Sequence, residues 1–214
     1  MSLISGGRID LSALQSAQNV LTDFNFRLMM ALKNVSVELK LYFYKWEPYE
    51  YPKPNRNMWR DPIWDLRYSA FSHLPLIYST HHFSNIPPEG LDGRVKWGAR
   101  KGDSIVTFTF LTNKGLLAVD FGSLPPEEWP TTLPPAETSA FVCVMLSNKS
   151  SGQSFRELWD RCSFPDVEDL ETYAQIFETE APTIKAWAMK FDLADFLFDS
   201  KPLITDIGSF LSDG

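Results

Sequence analysis

The sequence has few of the residues that mark a catalytic or metal site. It holds two cysteines and three histidines in 214 residues, which is too few for a disulfide framework or a paired-cysteine zinc site. It also lacks a glycine-rich phosphate loop, a Gly-x-Ser-x-Gly nucleophile elbow and a His-Glu-x-x-His pair. These absences exclude the usual signatures of nucleotide binding, serine hydrolysis and zinc proteolysis. We therefore assign no catalytic residue, no cofactor and no metal ligand from a motif.

Long hydrophobic runs are missing as well. No stretch approaches the ~18 apolar residues that a membrane helix requires, and the first residues lack the apolar core of a secretion signal. The sequence predicts a soluble protein of a reducing, cytoplasmic compartment, with no membrane span. Cys143 and Cys162 both fall on apolar faces, and we expect them to be reduced core residues.

The sequence is rich in aromatic residues and proline, and its charge is unevenly distributed. Aromatic residues make up 14% of the chain, and five of its 15 prolines fall in residues 122–137. The length suits a single domain, which we assign to residues 1–214 with an extended connection at 122–137. Residues 1–115 carry 14 Lys/Arg and 10 Asp/Glu, and residues 116–214 carry 6 and 17, so net charges of +4 and −11 sum to −7. Opposite charges in the two parts favour self-association or contact with an anionic partner.

Residues 24–43 show the strongest pattern. Large apolar residues occupy every second position from Phe24 to Leu32, and the pattern resumes with opposite parity from Val35 to Phe43. A two-residue turn at 33–34 places each apolar residue of the first half opposite an apolar residue of the second. The pattern predicts a β-hairpin with Leu28 opposite Leu39.

Further segments complete an α+β prediction. A second hairpin is expected over residues 104–112 and 116–121, and a central strand over 139–147, because residues 140–146 are apolar on both faces. Helices are predicted over 10–21, 61–74, 154–163 and 166–178, and irregular structure over 79–93. Residues 183–198 fit a helix or a strand, and their composition favours a helix. The predicted fold is a mainly antiparallel sheet, built from two hairpins and a central strand, with four or five packed helices.

Two clusters of ionisable residues allow a chemical interpretation. His81 and His82 are adjacent, so on an extended chain they point to opposite sides and cannot easily hold one metal. His82 with Asp92 or Asp103 is a possible acid–base pair, so a hydrolase using His81, His82 and Asp92 is an alternative function. On a helix, residues 192, 195 and 199, all Asp, share a face, which suits either a hard-cation site or, as we favour, a solvated acidic surface.

A cluster of basic and aromatic residues is the main candidate for binding a partner. Arginine, tyrosine and tryptophan are enriched at protein interfaces, and bases combined with aromatics also bind single-stranded nucleic acid. The sequence favours a non-enzymatic binding or structural protein acting through protein contacts or self-association, such as an oligomeric assembly subunit or a viral or mobile-element accessory protein. The alternative partner is single-stranded RNA. The predicted partner-binding residues are Trp46, Tyr49, Tyr51, Arg56, Trp59, Arg60, Trp97, Arg100, Lys101 and Trp129.

Overall fold

A long helix, an antiparallel sheet and two short C-terminal helices make up the described part of the protein. The computed structural model describes residues 4–5, 8–9, 11–48, 78–88, 98–112, 138–150, 152, 175–177 and 184–212. The helices are α1 (Leu11–Glu38), α2 (Leu193–Phe198) and α3 (Lys201–Ser212). The strands are β1 (Ile4–Ser5), β2 (Arg8–Ile9), β3 (Tyr42–Pro48), β4 (Tyr78–Ser84), β5 (Ser104–Leu111), β6 (Ser139–Ser147), β7 (Gln175–Phe177) and β8 (Ile184–Phe191).

Within the described residues, the main sheet has six strands in the order β3-β4-β5-β6-β8-β7, and every neighbouring pair is antiparallel. The short strands β1 and β2 pair with each other. A register shift between Phe43 and Lys45 interrupts the pairing of β3 with β4. Strands β5 and β6 lie at the centre, and both of their faces are buried over most of their length.

The helices pack on one face of this sheet. From α1, the fully buried Leu28, Leu32 and Val35 join a cluster with the even-numbered apolar residues of β5 and β6. The ring of Phe196 on α2 stacks on the rings of Phe108 and Phe110, with centroids 5.9 and 6.2 Å apart. This cluster also includes the buried Leu203, Ile207 and Phe210 of α3.

The predicted hairpin at residues 24–43 is wrong, because residues 24–38 belong to α1. The buried Asn25, Leu28, Leu32 and Val35 recur at spacings of three, four and three residues, which is the helical period. The same residues also satisfied a strand alternation, but Val37, which the hairpin would bury, is 63% exposed. The run Met29–Lys33 consists of strong helix formers, and this preference prevails over the alternation. The chain reverses instead at Lys40, which has a φ of 53° and lies two residues before the start of β3.

Other predictions divide between right and wrong. The strands at 104–111 and 139–147 are confirmed, as is the central position of β6. The helix predicted over 10–21 is confirmed for residues 11–21, but it continues to Glu38. Residues 184–191 form a strand, and the helix begins only at Leu193.

Three more expectations are corrected or left open. Residues 175–177, placed in a predicted helix over 166–178, form β7 by pairing with β8. Residues 79–84, part of the segment expected to be irregular, belong to β4. The class α+β holds, but the described residues contain three helices rather than four or five. The predictions for 61–74, 116–121, 122–137, 154–163 and Cys162 lie outside the described residues.

Candidate interaction surface

The two adjacent histidines lie in β4 and point to opposite faces of the sheet, as the sequence predicted. His81 is buried on the helix-covered face, where its ring meets the edge of Phe110 with centroids 5.7 Å apart. Its Nε2 lies 3.3 Å from the hydroxyl of Ser79. His81 is thus a residue of the sheet interior.

His82 lies on the other face, opposite Thr107 of β5. Its Nδ1 is 3.0 Å from the Thr107 hydroxyl oxygen. Burial, together with the positive charge of Lys45, lowers the pKa of His82 to about 4. The imidazole is therefore neutral at neutral pH.

The structure does not place Asp103 beside His82. Asp103 precedes β5 by one residue, and it is four residues from Thr107, about 13 Å along an extended strand. Its carboxylate instead accepts a hydrogen bond from the backbone N–H of Arg100 at 2.7 Å. Asp92, the other proposed partner, lies outside the described residues.

The interior of the β4–β5 pair contains several polar side chains, and they bond across the two strands. The hydroxyls of Thr80 and Thr109 lie 3.3 Å apart, and the Ser84 hydroxyl donates to the carbonyl of Ser104 at 2.9 Å. Such bonds offset the cost of burying polar groups. These hydrogen bonds indicate that the polar side chains have a structural role in the sheet.

Two of the three aspartates at 192, 195 and 199 accept hydrogen bonds at the starts of the C-terminal helices. Asp192 is the N-cap of α2, and its carboxylate accepts from the Asp195 N–H at 2.9 Å. The Asp199 carboxylate accepts from the N–H of Lys201 at 3.0 Å. All three are exposed, and no group of three or more potential metal ligands is found within the described ranges.

Three of the predicted partner-binding residues can be located. Trp46 lies in β3, opposite His81. Arg100 and Lys101 are exposed in the loop before β5, between Gly98 and Gly102, which have φ values of 101° and 86°. His81 is paired with Phe108, four positions beyond the start of β5, so the structure separates Trp46 from the two basic residues. The other predicted residues, Tyr49, Tyr51, Arg56, Trp59, Arg60, Trp97 and Trp129, lie outside the described part of the chain.

Exposed apolar side chains concentrate on the helices, which the sequence analysis did not predict. Among the described residues, six of the eight large apolar side chains that are exposed belong to α1 or α2. Phe198, at the end of α2, is 93% exposed. The other five lie on α1: Leu11, Val20, Leu21, Phe26 and Val37.

A groove of about 720 Å³ runs between α1 and the α2–α3 segment. Phe26 and Met30 line it from α1, and Phe198 and Ile204 line it from the opposite wall. Its charged residues have both signs, and Asp23 and Arg27 form an exposed ion pair at 2.8 Å. The groove is thus a mixed apolar and polar surface of the kind found at protein interfaces.

The N-terminal part of α1 projects from the body. The helix has 28 residues, about 42 Å at 1.5 Å per residue. Every described side chain from Leu11 to Leu21 is exposed, and Asn25 is the first that is fully buried. One signal in the sequence could have indicated this projection: residues 11–22, most of which fall in the helix predicted over 10–21, carry no charge.

No protein-family model, curated protein or solved structure matches this chain. Within the described ranges, none of the helices combines the length and the apolar character needed to cross a membrane.

Proposed function

We propose that this protein is a non-enzymatic binding protein that acts through protein–protein contacts made by its helices, as a subunit of a larger assembly. The observation that carries the proposal is the exposure of large apolar side chains on α1 and α2, above all Phe198 at 93%. Burying a phenylalanine side chain contributes about 1.5–3 kcal/mol. Phe26 and Phe198 line the same groove, and exposed apolar patches of this kind mark interaction sites.

The position of Phe198 supports this proposal. Phe198 lines the groove together with the half-exposed Phe26 of α1. Aromatic residues next to a concave apolar surface are typical anchors of protein interfaces. The interaction surface is therefore assigned to the groove and to the exposed side of α1.

The electrostatics favour a protein over a nucleic acid as the partner. The chain has a net charge of −7, which repels a polyanion at long range. Arg100 and Lys101 belong to the loop before β5 and do not line the groove. Aromatic stacking and phosphate contacts would have to come from the same surface to bind a single strand.

Photo-crosslinking tests the proposal. A photoreactive benzoyl-phenylalanine at position 198 should give a light-dependent covalent adduct in cells that contain the natural partner. The matched control is the same residue at the exposed Lys149, beyond the end of β6, which should give none. The adduct at 198 should resist nuclease and be sensitive to protease.

Two outcomes would contradict the proposal. Labelling from positions 198, 26 and 20 that is absent, or no stronger than labelling from the control at Lys149, would remove the special role of the helical surface. A nuclease-sensitive adduct formed from positions 100 and 101 would instead support the RNA-binding alternative.

A further inference from the structure

The exposed part of α1 continues the stripe with which the same helix packs on the sheet. Residues 25, 28, 32 and 35 of that stripe are all 0% exposed. The same three–four spacing extends backwards to positions 11, 14, 18 and 21. There Leu11 is 72% exposed and Leu21 is 41% exposed. A stripe made for packing therefore extends about 18 Å beyond the sheet.

The sheet limits what can cover this stripe. A second helix on this face would lie about 8–10 Å from α1, and from Asn25 onward that space is filled by the buried core. A second helix can therefore pack on this face only along residues 11–22, and it must end before Asn25, where the core begins. A second α1 in parallel orientation is excluded, because each helix would run through the other copy's sheet. If the second α1 runs antiparallel, the sheets of the two copies lie at opposite ends of the paired helices.

We infer that residues 11–22 of two copies of this chain pair antiparallel through this stripe, forming a two-fold symmetric dimer. The inference rests on the proposed function and names its partner as a second copy. In this pairing Leu11 lies opposite Leu21 of the other copy, and position 14 lies opposite Gln18. The match is self-complementary, as a two-fold interface requires.

Charge supports a second copy as the partner. Residues 11–22 contain no charged side chain, so two copies approach there without local repulsion, although each carries a net charge of −7. A strongly charged partner segment would find no opposite charge along this part of the helix.

The size of the contact sets the expected affinity. Three helical turns offer fewer residues than the 20–30 per partner of a standard interface, which buries about 800 Å² on each side. We therefore expect a dimer in the micromolar range or weaker.

Sedimentation equilibrium of the whole chain from about 1 to about 300 µM tests the inference, a range that spans micromolar dissociation constants. The wild type should shift from monomer to dimer. Leu21→Ser should raise the dissociation constant at least about tenfold, because it removes an apolar leucine side chain from the interface. The matched control is Asn19→Ser, which alters an exposed residue of the same segment outside the stripe and should leave dimerisation unchanged.

Disulfide trapping tests the orientation, in a Cys162→Ser background. Chains carrying Leu11→Cys should crosslink to chains carrying Leu21→Cys more readily than either crosslinks to itself. Preferential self-crosslinking at both positions would mean a parallel pair and would overturn the inference.

Other outcomes overturn the inference and leave the proposed function separately testable. A wild type that stays monomeric at the highest concentration removes the second copy as partner, whereas a protein adduct from position 198 would still support the proposed function. A monomer that binds phosphatidylcholine–phosphatidylserine vesicles, and loses that binding with Leu21→Ser, would mean that the stripe contacts lipid instead.

Discussion

Among individual residues, His82 links the stability of the fold to pH. Its pKa is about 4 in the folded protein, against an ordinary value of 6.5 for the unfolded chain. The unfolded state therefore binds the proton more tightly. The stabilisation from neutral His82 is complete above pH 6.5 and is lost as the pH falls toward 4.

We expect this residue to account for a loss of about 2 kcal/mol in the free energy of unfolding at pH 5, and about 3 kcal/mol at pH 4. Urea unfolding at pH 7.5, 5 and 4, followed by tryptophan fluorescence, measures the loss. His82→Gln should flatten the dependence between pH 6.5 and 4. An equally steep dependence in that variant would place the titrating group elsewhere.

Asp192 provides a second test at this scale, since its carboxylate caps α2. Removing an N-cap costs about 1 kcal/mol, within a range of 0.5–2. Asp192→Ala should lower the free energy of unfolding by that amount, whereas Asp192→Asn, which keeps the acceptor oxygen, should lower it less. If added Mg²⁺ or Ca²⁺ stabilised the wild type but not Asp192→Ala, the aspartates would form a cation site instead.

At the scale of elements, α1 shows how a hydrophobic pattern can satisfy two structures. The hairpin and the helix both bury Leu28 and Leu32, so these residues do not distinguish the two folds. Val37 does, because the hairpin buries it and the helix exposes it. The decision came from the helical preference of the neighbouring residues and from packing on distant strands, which local alternation does not contain.

A pair of substitutions measures this difference. Leu32→Ala should lower the free energy of unfolding by about 2–5 kcal/mol, because it opens a cavity against the sheet. Val37→Ala should change it by less than about 0.5 kcal/mol, as exposed residues do. Similar losses at both positions in urea unfolding would contradict the helix and revive the hairpin.

The strands show where sequence reasoning succeeds and where it stops. β5 and β6 were predictable because their apolar runs are short and bounded by polar residues. β7 was not, because Gln175 and Phe177 become strand residues only by pairing with Ala188 and Ala186 of β8. The candidate interaction surface was missed for a related reason. Phe198 follows the buried Phe196 by two residues, and only the packed structure shows that one is covered and the other is not.

At the scale of the whole molecule, net charge makes a prediction about assembly. Two copies at −7 each repel one another, while the inferred contact itself carries no charge. Added salt screens the repulsion, since the Debye length falls from about 30 Å at 0.01 M to about 8 Å at 0.15 M. The dimer should therefore become tighter as salt rises between those concentrations, by severalfold.

Sedimentation equilibrium at the two salt concentrations checks this trend. Binding to RNA would show the opposite dependence, because salt weakens phosphate contacts. A dimer that weakens with salt would mean that ion pairs, rather than the uncharged stripe, hold the copies together.

The two outer strands of the sheet have a consequence for how this protein associates. An outermost strand with a regular row of unpaired backbone groups can recruit another chain and grow into fibres. Here β3 is irregular between Phe43 and Lys45 and ends in Pro48, and β7 at the other side has only three residues. A kink, a residue without an N–H and a very short strand all make poor templates for an added strand. The sheet is thus protected against uncontrolled strand addition, and association is directed to the helices. A two-fold contact between two helices gives a closed dimer, to which no further copies are added.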